Sequence, residues 1–324
     1  MLEPDGALFE VNDLRAYFFT REGVTRAVDG LTFELQEGDS LGLVGESGCG
    51  KSTTALAIMG LMPRPGKVVS GSITFSGTDL LKLTETEFRK NYRWKRISIV
   101  FQGSMDALNP VFRVGDQITE AIKLHEKTTE REANERARKL IQLIGIDPER
   151  INNYPHELSG GMRQRIMIAM ALACDPKLVI ADEPTTALDV IVQAQVLQLL
   201  NELREKLNLS MILISHDLSV VAETCNRVAI MYAGKIVESG DAIDIYRQPS
   251  HPYTQGLISA YPNLASEKKE LVSIPGQPPD LRAPPTGCRF HPRCPFALER
   301  CTREEPPFTK IGASHAACWL LSGG

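Results

Sequence analysis

Ser40-Leu-Gly-Leu-Val-Gly45-Glu-Ser-Gly-Cys-Gly50-Lys51-Ser52 joins a short apolar run to a glycine-rich turn and then to a helical pattern. Its second part fits G-x-x-x-x-G-K-[ST], in the strand-before, helix-after context that this pattern requires. Glycines let the backbone wrap closely around an anion, with successive N–H groups pointing inward. The helix that follows presents its positive end to phosphates. Lys51 adds a point charge and the Ser52 hydroxyl a ligand for Mg²⁺. Residues Gly45, Glu46, Ser47, Gly48, Cys49, Gly50, Lys51, Ser52 and Thr53 are therefore the candidate triphosphate cradle. Cys49 inside this turn is a thiol whose oxidation or alkylation would block a nucleotide.

A triphosphate site needs an acidic partner at the end of an apolar strand, and Leu178-Val-Ile-Ala-Asp182-Glu183 supplies one. Asp182 is placed to hold Mg²⁺, and Glu183 to act as general base on an attacking water. Around these stretches, residues 8–44 alternate like strands, Lys51 to Leu61 reads as a helix, and 72–75 and 97–101 read as short strands. The apolar runs 178–181, 211–214 and 228–231 are separated by helical patterns, which predicts a mostly parallel sheet covered by helices. Residues from about 103 to 175 carry helical periodicity and many charges and read as a helical insertion. The run Thr129–Lys139 reads as a solvated helix face.

The chain has 324 residues, enough for about two domains. Lys and Arg total 36 against 40 Asp and Glu, a net charge of −4 that disfavours a general nucleic-acid binder. No stretch approaches the ~20 apolar residues of a membrane span, and the N-terminus lacks a secretory pattern. These features predict a cytosolic chain, or one side of a membrane complex whose spans lie in other chains. The tail differs: twelve of the twenty prolines fall from Pro249 onward, which excludes long helices and central strands there. Cys288, Cys294, Cys301 and Cys318 also cluster in it and read as a metal or cluster site rather than disulfides. Their spacings are wider than the short C-x2–4-C pairs usual for zinc, although Zn²⁺ stays open as the alternative, and His291 and His315 lie near enough in sequence to replace a ligand. Cys174 and Cys225 read as structural thiols.

Beyond the phosphate turn, Leu158-Ser159-Gly160-Gly161-Met162-Arg163-Gln164-Arg165 resembles the LSGGQ signature of ABC-type ATPases. Gln102 resembles that family's Q-loop glutamine, Ala187-Leu-Asp189 its D-loop and His216 its switch histidine. Phe18, or alternatively Tyr17, stands where the family stacks an aromatic on adenine. The matches run in family order from residue 8 to about 250. Two positions depart from the common pattern: Met162 replaces the signature glutamine, and Gly103-Ser104 follow Gln102 where relatives carry an acid and proline. The resemblance implies an α/β P-loop fold with an antiparallel β subdomain, an inserted helical subdomain and a small irregular C-terminal domain. It implies an ATPase domain over 1–255 and a cysteine-bearing extension over 256–324.

FQGSMDALNP (101–110), HPYT (251–254) with Leu257 and Tyr261-Pro262, and CRFHPRCPFALERC (288–301) narrow the resemblance to dipeptide/oligopeptide importer ATP-binding subunits. That family implies ATP and Mg²⁺ as cofactors, a [4Fe–4S] cluster on the four cysteines, and ATP hydrolysis coupled to peptide import. Partners implied are transmembrane permease subunits, a second homologous ATPase or another copy of this chain, and indirectly a peptide-binding protein, with no nucleic acid. The implied location is the cytoplasmic face of the membrane. In the sandwich that the family forms, Ser159, Gly160 and Gly161 face the partner's nucleotide and Asp189 reaches across. Catalysis falls to Glu183, His216 and Gln102, and Mg²⁺ to Ser52, Gln102 and Asp182. Related nickel and glutathione importers share the tail, and a soluble non-transport ABC ATPase is a further alternative.

Overall fold

The computed structural model describes residues 6–103, 107–186, 188–260, 274–312 and 314–321. Its strands are β1 (Phe9–Thr20), β2 (Gly23–Leu35), β3 (Ser40–Val44), β4 (Gly66–Phe75), β5 (Thr78–Asp79), β6 (Ile97–Val100), β7 (Leu178–Asp182), β8 (Ser210–Ser215), β9 (Arg227–Tyr232), β10 (Lys235–Asp241), β11 (Phe308–Ile311) and β12 (Ser314–Ala317). Its helices are α1 (Lys51–Ile58), α2 (Glu85–Asn91), α3 (Val114–His125), α4 (Glu130–Leu143), α5 (Gly160–Ala171), α6 (Val190–Leu207), α7 (Leu218–Thr224), α8 (Ala242–Arg247), α9 (Pro252–Ala260) and α10 (Glu299–Arg303).

The chain divides into two compact units. The first holds Met1–Leu35, Asp39–Leu81 and Leu213–Gly324. Within it β2, β1, β4 and β5 form an antiparallel sheet, with Phe9 opposite both Leu35 and Phe75. Phe9 and Val11, then Leu14 and Ala16, are buried along β1, the alternation slipping by one residue between Val11 and Leu14, where the register to β2 shifts. A second sheet runs β11-β12-β10-β9-β3-β8, with β3 parallel to β9. Every residue of β3 and β8 is buried, which explains their unbroken apolar reading.

The tail respects its prolines. Helix α10 has five residues, and β11 and β12 have four each, added antiparallel at the sheet edge through Glu238↔Ala316. Both strands lie after Pro307, in the part of the tail that lacks proline. The tail also has an apolar anchor that its composition conceals. Phe290 is buried against Tyr232 and Tyr253, with ring centroids 5.2 and 5.4 Å away.

The second unit holds Gln36–Gly38 and Lys82–Ile212. Its strands run β8-β7-β6, with β6 parallel to β7. Helices α3, α4 and α5 pack here, α4 burying Ala133, Ala137, Leu140 and Ile141 while its charged face stays exposed. Capping boxes open α2 (Thr84, Glu87) and α4 (Thr129, Glu132), each satisfying two first-turn donors. Among the described residues no helix is long and apolar enough to cross a membrane.

Candidate functional site

In the first unit the glycine turn stands between β3 and α1. Gly50 precedes α1 with φ +110°, and a Cβ there would come within 2.2 Å of the Ala27 carbonyl oxygen. A Cβ at Gly45 would meet the Met231 carbonyl oxygen at 2.2 Å. Neither backbone contact can yield to a side chain, so both positions demand glycine. Helix α1 begins with no side-chain cap and no acid in its first turn, so no residue of that turn sets an anion at its positive end.

The Lys51 ammonium is buried and donates to the carbonyls of Gly45 (2.7 Å) and Glu46 (3.1 Å). A cation held by neutral carbonyls keeps its full charge for an anion bound in the turn. Ser52 and Thr53 follow, half-buried, in the first turn of α1, where the Ser52 hydroxyl suits a divalent cation bound with phosphate. Ser47 and Gly48 are exposed at the tip. Cys49 is buried, and that burial outweighs the charge of Lys51 and pushes its thiol up. The thiolate that oxidation or alkylation needs is thus disfavoured, against the reactivity its sequence position suggests.

Tyr17 and Phe18 are both half-buried on β1. The Tyr17 hydroxyl donates to Asp29 Oδ1, while a Cβ added to Gly66 would lie 2.7 Å from the Phe18 ring. Burial pushes the Asp29 carboxyl up, but the Tyr17 hydroxyl and the Arg289 guanidinium outweigh it and hold it below the usual range. His216 is exposed just after β8, next to Asp217, which caps α7.

In the second unit Asp182 is buried at the end of β7. Glu183 follows with φ +45°. Its Oε2 accepts from Gln102 Nε2 at 2.9 Å and from Thr186 Oγ1 at 2.9 Å. These two donors fix the carboxylate's orientation, as a general base requires. Thr186 was absent from the sequence reading; its position three residues after Glu183 was the available signal.

Ser159 is exposed and caps α5 by accepting from the Met162 N–H at 3.3 Å, with Gly160 and Gly161 opening the helix. Asp189 caps α6 by accepting from the Val192 N–H at 3.0 Å, a local role beside the reach across an interface that its motif implies. Ala187, Ser104 to Asp106 and Tyr261-Pro262 lie outside the described residues.

Several first-unit residues were not singled out as acting on the phosphate turn. The Glu46 N–H donates to the Tyr253 hydroxyl at 2.9 Å, and Arg293 pairs with the Glu46 carboxylate. Tyr253 stands in the HPYT stretch, where buried His251 accepts its N–H at 3.1 Å. Glu238, fully buried on β10, accepts the N–H groups of Ser250 and His251 at 2.7 and 3.1 Å.

None of the seven cysteines is in a disulfide. Cys288, Cys294, Cys301 and Cys318 belong to one module, where the Cys288 N–H donates to the Cys301 carbonyl at 2.9 Å. Burial pushes the Cys288 thiol up to about 11, and the charges of Cys301, Cys318 and Cys294 add to the rise. Burial also raises Cys294 and Cys318, again with help from neighbouring cysteines of the set. Four soft donors that repel one another as thiolates are a donor set that a cationic centre would relieve. Among the described residues, however, no group of three His, Cys, Asp or Glu side chains is arranged to hold a metal ion. His291 Nδ1 is engaged with the Cys288 carbonyl at 2.9 Å, and His315 stacks on Phe308.

Comparison with known proteins adds to this geometry. Residues 28–186 match the family model described as ABC transporter. Residues 237–301 match the one described as oligopeptide/dipeptide transporter, C-terminal region. A probable peptide ABC transporter ATP-binding protein of Sinorhizobium fredii is 50% identical over 317 residues, covering 96% of this chain and 94% of that one. An oligopeptide transport ATP-binding protein of Salmonella typhimurium is 51% identical over 307 residues, covering 94% and 91%. The dimeric structure of a bacterial ABC transporter cassette superposes with a TM-score of 0.64 at 25% identity, covering 72% of this chain and 98% of the other.

Proposed function

Because the chain belongs to the ATP-binding subunits of the oligopeptide/dipeptide ABC transporters, we propose that it binds and hydrolyses ATP to drive peptide import. It works as a peripheral subunit at the cytoplasmic face of the membrane, beside transmembrane permease subunits that carry the spans. The observation that carries this reading is the glycine turn at the head of α1, with Lys51 buried and aimed into it.

The roles of the residues follow from their chemistry. Lys51 and backbone N–H groups at the tip of the Gly45–Thr53 turn bind the phosphates. Ser52, Asp182 and Gln102 hold the Mg²⁺ that enters with ATP. Glu183, oriented by Gln102 and Thr186, takes the proton of the attacking water, and His216 contacts the γ-phosphate. Either Phe18 or Tyr17 stacks on adenine. Since the Tyr17 hydroxyl is engaged with Asp29, Phe18 is the better candidate.

Two ATPase subunits close head to tail. Ser159, Gly160 and Gly161 then offer the start of α5 to the partner's γ-phosphate, and Asp189 borders the interface. Hydrolysis removes that shared contact and releases the dimer. The helical insertion, about residues 103–175, receives the permease; its Val111 and Phe112 are 71% and 54% exposed, an apolar pair suited to a protein partner. The ATPase domain spans 1–255 and the cysteine extension 256–324.

Cys288, Cys294, Cys301 and Cys318 hold a [4Fe–4S] cluster in preference to Zn²⁺. Its contribution is a structural crosslink in a proline-rich tail. The support is the all-thiol donor set, its mutual repulsion and the lack of a short C-x2–4-C pair. Metal and sulfide analysis of anaerobically purified protein tests it: about four iron per chain supports the cluster, and one zinc without iron refutes it. The function itself is tested by co-purifying the permease and measuring ATPase activity with peptide-loaded binding protein. Stimulation by peptide, but not by nickel or glutathione, is expected; ATPase activity that ignores peptide refutes the reading.

A further inference from the structure

Glu46 poses an electrostatic question. A carboxylate in the second position of a turn that grips a triphosphate should repel its ligand. The structure answers it with a residue from the far end of the chain. Arg293 donates from one terminal nitrogen to Glu46 Oε2 at 2.6 Å and from the other to Oε1 at 3.0 Å, a two-pronged pair. The same guanidinium donates through Nε to the Pro275 carbonyl at 2.8 Å and reaches the Tyr232 hydroxyl at 3.3 Å. Its side chain is only 5% exposed, so it has no solvent to turn to.

Glu46 is held at every polar group. Its N–H donates to the Tyr253 hydroxyl, its carboxylate binds Arg293, and its carbonyl accepts from Lys51. Lys51 is the charge on which phosphate binding turns. The arm that carries Arg293, Cys288–Cys294, is itself fixed twice more within the first unit. Phe290 sits among Tyr232, Tyr253 and His251, and Arg289 pairs with Asp29 beneath the Tyr17 hydroxyl.

We propose that Arg293 is a positioning residue of the nucleotide site, neutralising Glu46 and using it as a handle that fixes the turn around Lys51. The cysteine-bearing tail thereby takes part in ATP binding, through a residue adjacent to Cys294. The proposal rests on the reading of Gly45–Ser52 as a nucleotide turn.

The test uses the full-length protein with Mg-ATP. Dissociation constants, KM and kcat are measured for the parent, Arg293→Met, Arg293→Lys, Glu46→Gln and the Glu46→Gln/Arg293→Met double variant. Couplings between sites are commonly 5–150-fold, so Arg293→Met is expected to weaken Mg-ATP binding about tenfold and raise KM more than it lowers kcat. Arg293→Lys, which keeps the charge but not the fork, is expected to lose about threefold. In the double variant the loss of Arg293 should add less than about twofold, because its partner is already neutral. A folded Arg293→Met protein that binds Mg-ATP within about twofold of the parent overturns the proposal, as does additivity in the double variant. A merely structural role would lower the active fraction and kcat while leaving KM unchanged. If Arg293→Met does not fold, unchanged binding in both Arg293→Lys and Glu46→Gln overturns it equally. A parent protein that fails to bind Mg-ATP refutes the nucleotide reading itself, a separate outcome visible before any variant is made.

Discussion

Lowering the pH from 7 to 5 should loosen the first unit through one buried imidazole. His251 is 1% exposed, and its Nδ1 accepts the Tyr253 N–H at 3.1 Å. Burial pushes this imidazole down from 6.5 to about 4, opposed only weakly by the Ala317 backbone. Between those values the unfolded chain binds a proton that the folded chain does not. Stability is therefore complete above about pH 6.5 and falls as pH drops toward 4. The difference between the two values amounts to ~3 kcal/mol in full, of which about 2 kcal/mol is lost by pH 5. Protonated imidazole has no acceptor left for the Tyr253 N–H, and the Tyr253 hydroxyl is one of the groups that hold Glu46 in the phosphate turn. Glu238 works in the opposite sense. Burial raises its carboxyl, so it adds stability as pH falls. Comparison with His251→Asn removes that contribution, because both chains keep Glu238 and the asparagine oxygen can still accept from Tyr253. Urea denaturation of both proteins at pH 7 and pH 5 is expected to show the parent losing about 2 kcal/mol more than the variant. Equal losses, or an imidazole of His251 that titrates near 6.5 by NMR, would refute the reasoning.

Three substitutions probe the nucleotide chemistry. Lys51→Ala removes a buried charge donating to the turn, and Mg-ATP affinity measured by equilibrium binding is expected to fall ~10–100-fold. Glu183→Gln keeps an oxygen for Gln102 and Thr186 but removes the base; phosphate release in the assembled transporter should drop about 10²–10⁴-fold while nucleotide retention persists. Gly50→Ala forces a methyl group into the Ala27 carbonyl at φ +110°, and should weaken Mg-ATP binding and lower the thermal midpoint together.

Much of the fold was legible because its signals are local. The phosphate turn, the buried strands β3, β7 and β8, and the acid pair at the end of β7 all lie within short windows of sequence. The choice between Tyr17 and Phe18 was not legible, and β1 shows why. Its register shifts between Val11 and Leu14, between Leu14 and Arg15, and between Ala16 and Phe18, so simple alternation loses count before the aromatic pair is reached. Strand β10, reading KIVESGD, was hidden by Glu238, a carboxylate buried on the sheet and satisfied by backbone donors 12 and 13 residues away. The brace on the phosphate turn was hidden by distance. Glu46 meets Tyr253 across 207 positions and Arg293 across 247, and nothing in one sequence pairs residues so far apart. The apolar anchor of the cysteine tail was hidden because prolines dominate its composition and one residue, Phe290, supplies it.

The central claim is that ATP gripped at Lys51 powers the movement of peptide. The most direct measurement is uptake of a labelled dipeptide or oligopeptide into vesicles that contain the permease, the binding protein and this subunit, with Mg-ATP supplied on the subunit's side. Uptake that requires Mg-ATP and disappears with Glu183→Gln is the expected result. Uptake that proceeds at the same rate without ATP, or with Glu183→Gln in place, would contradict the account.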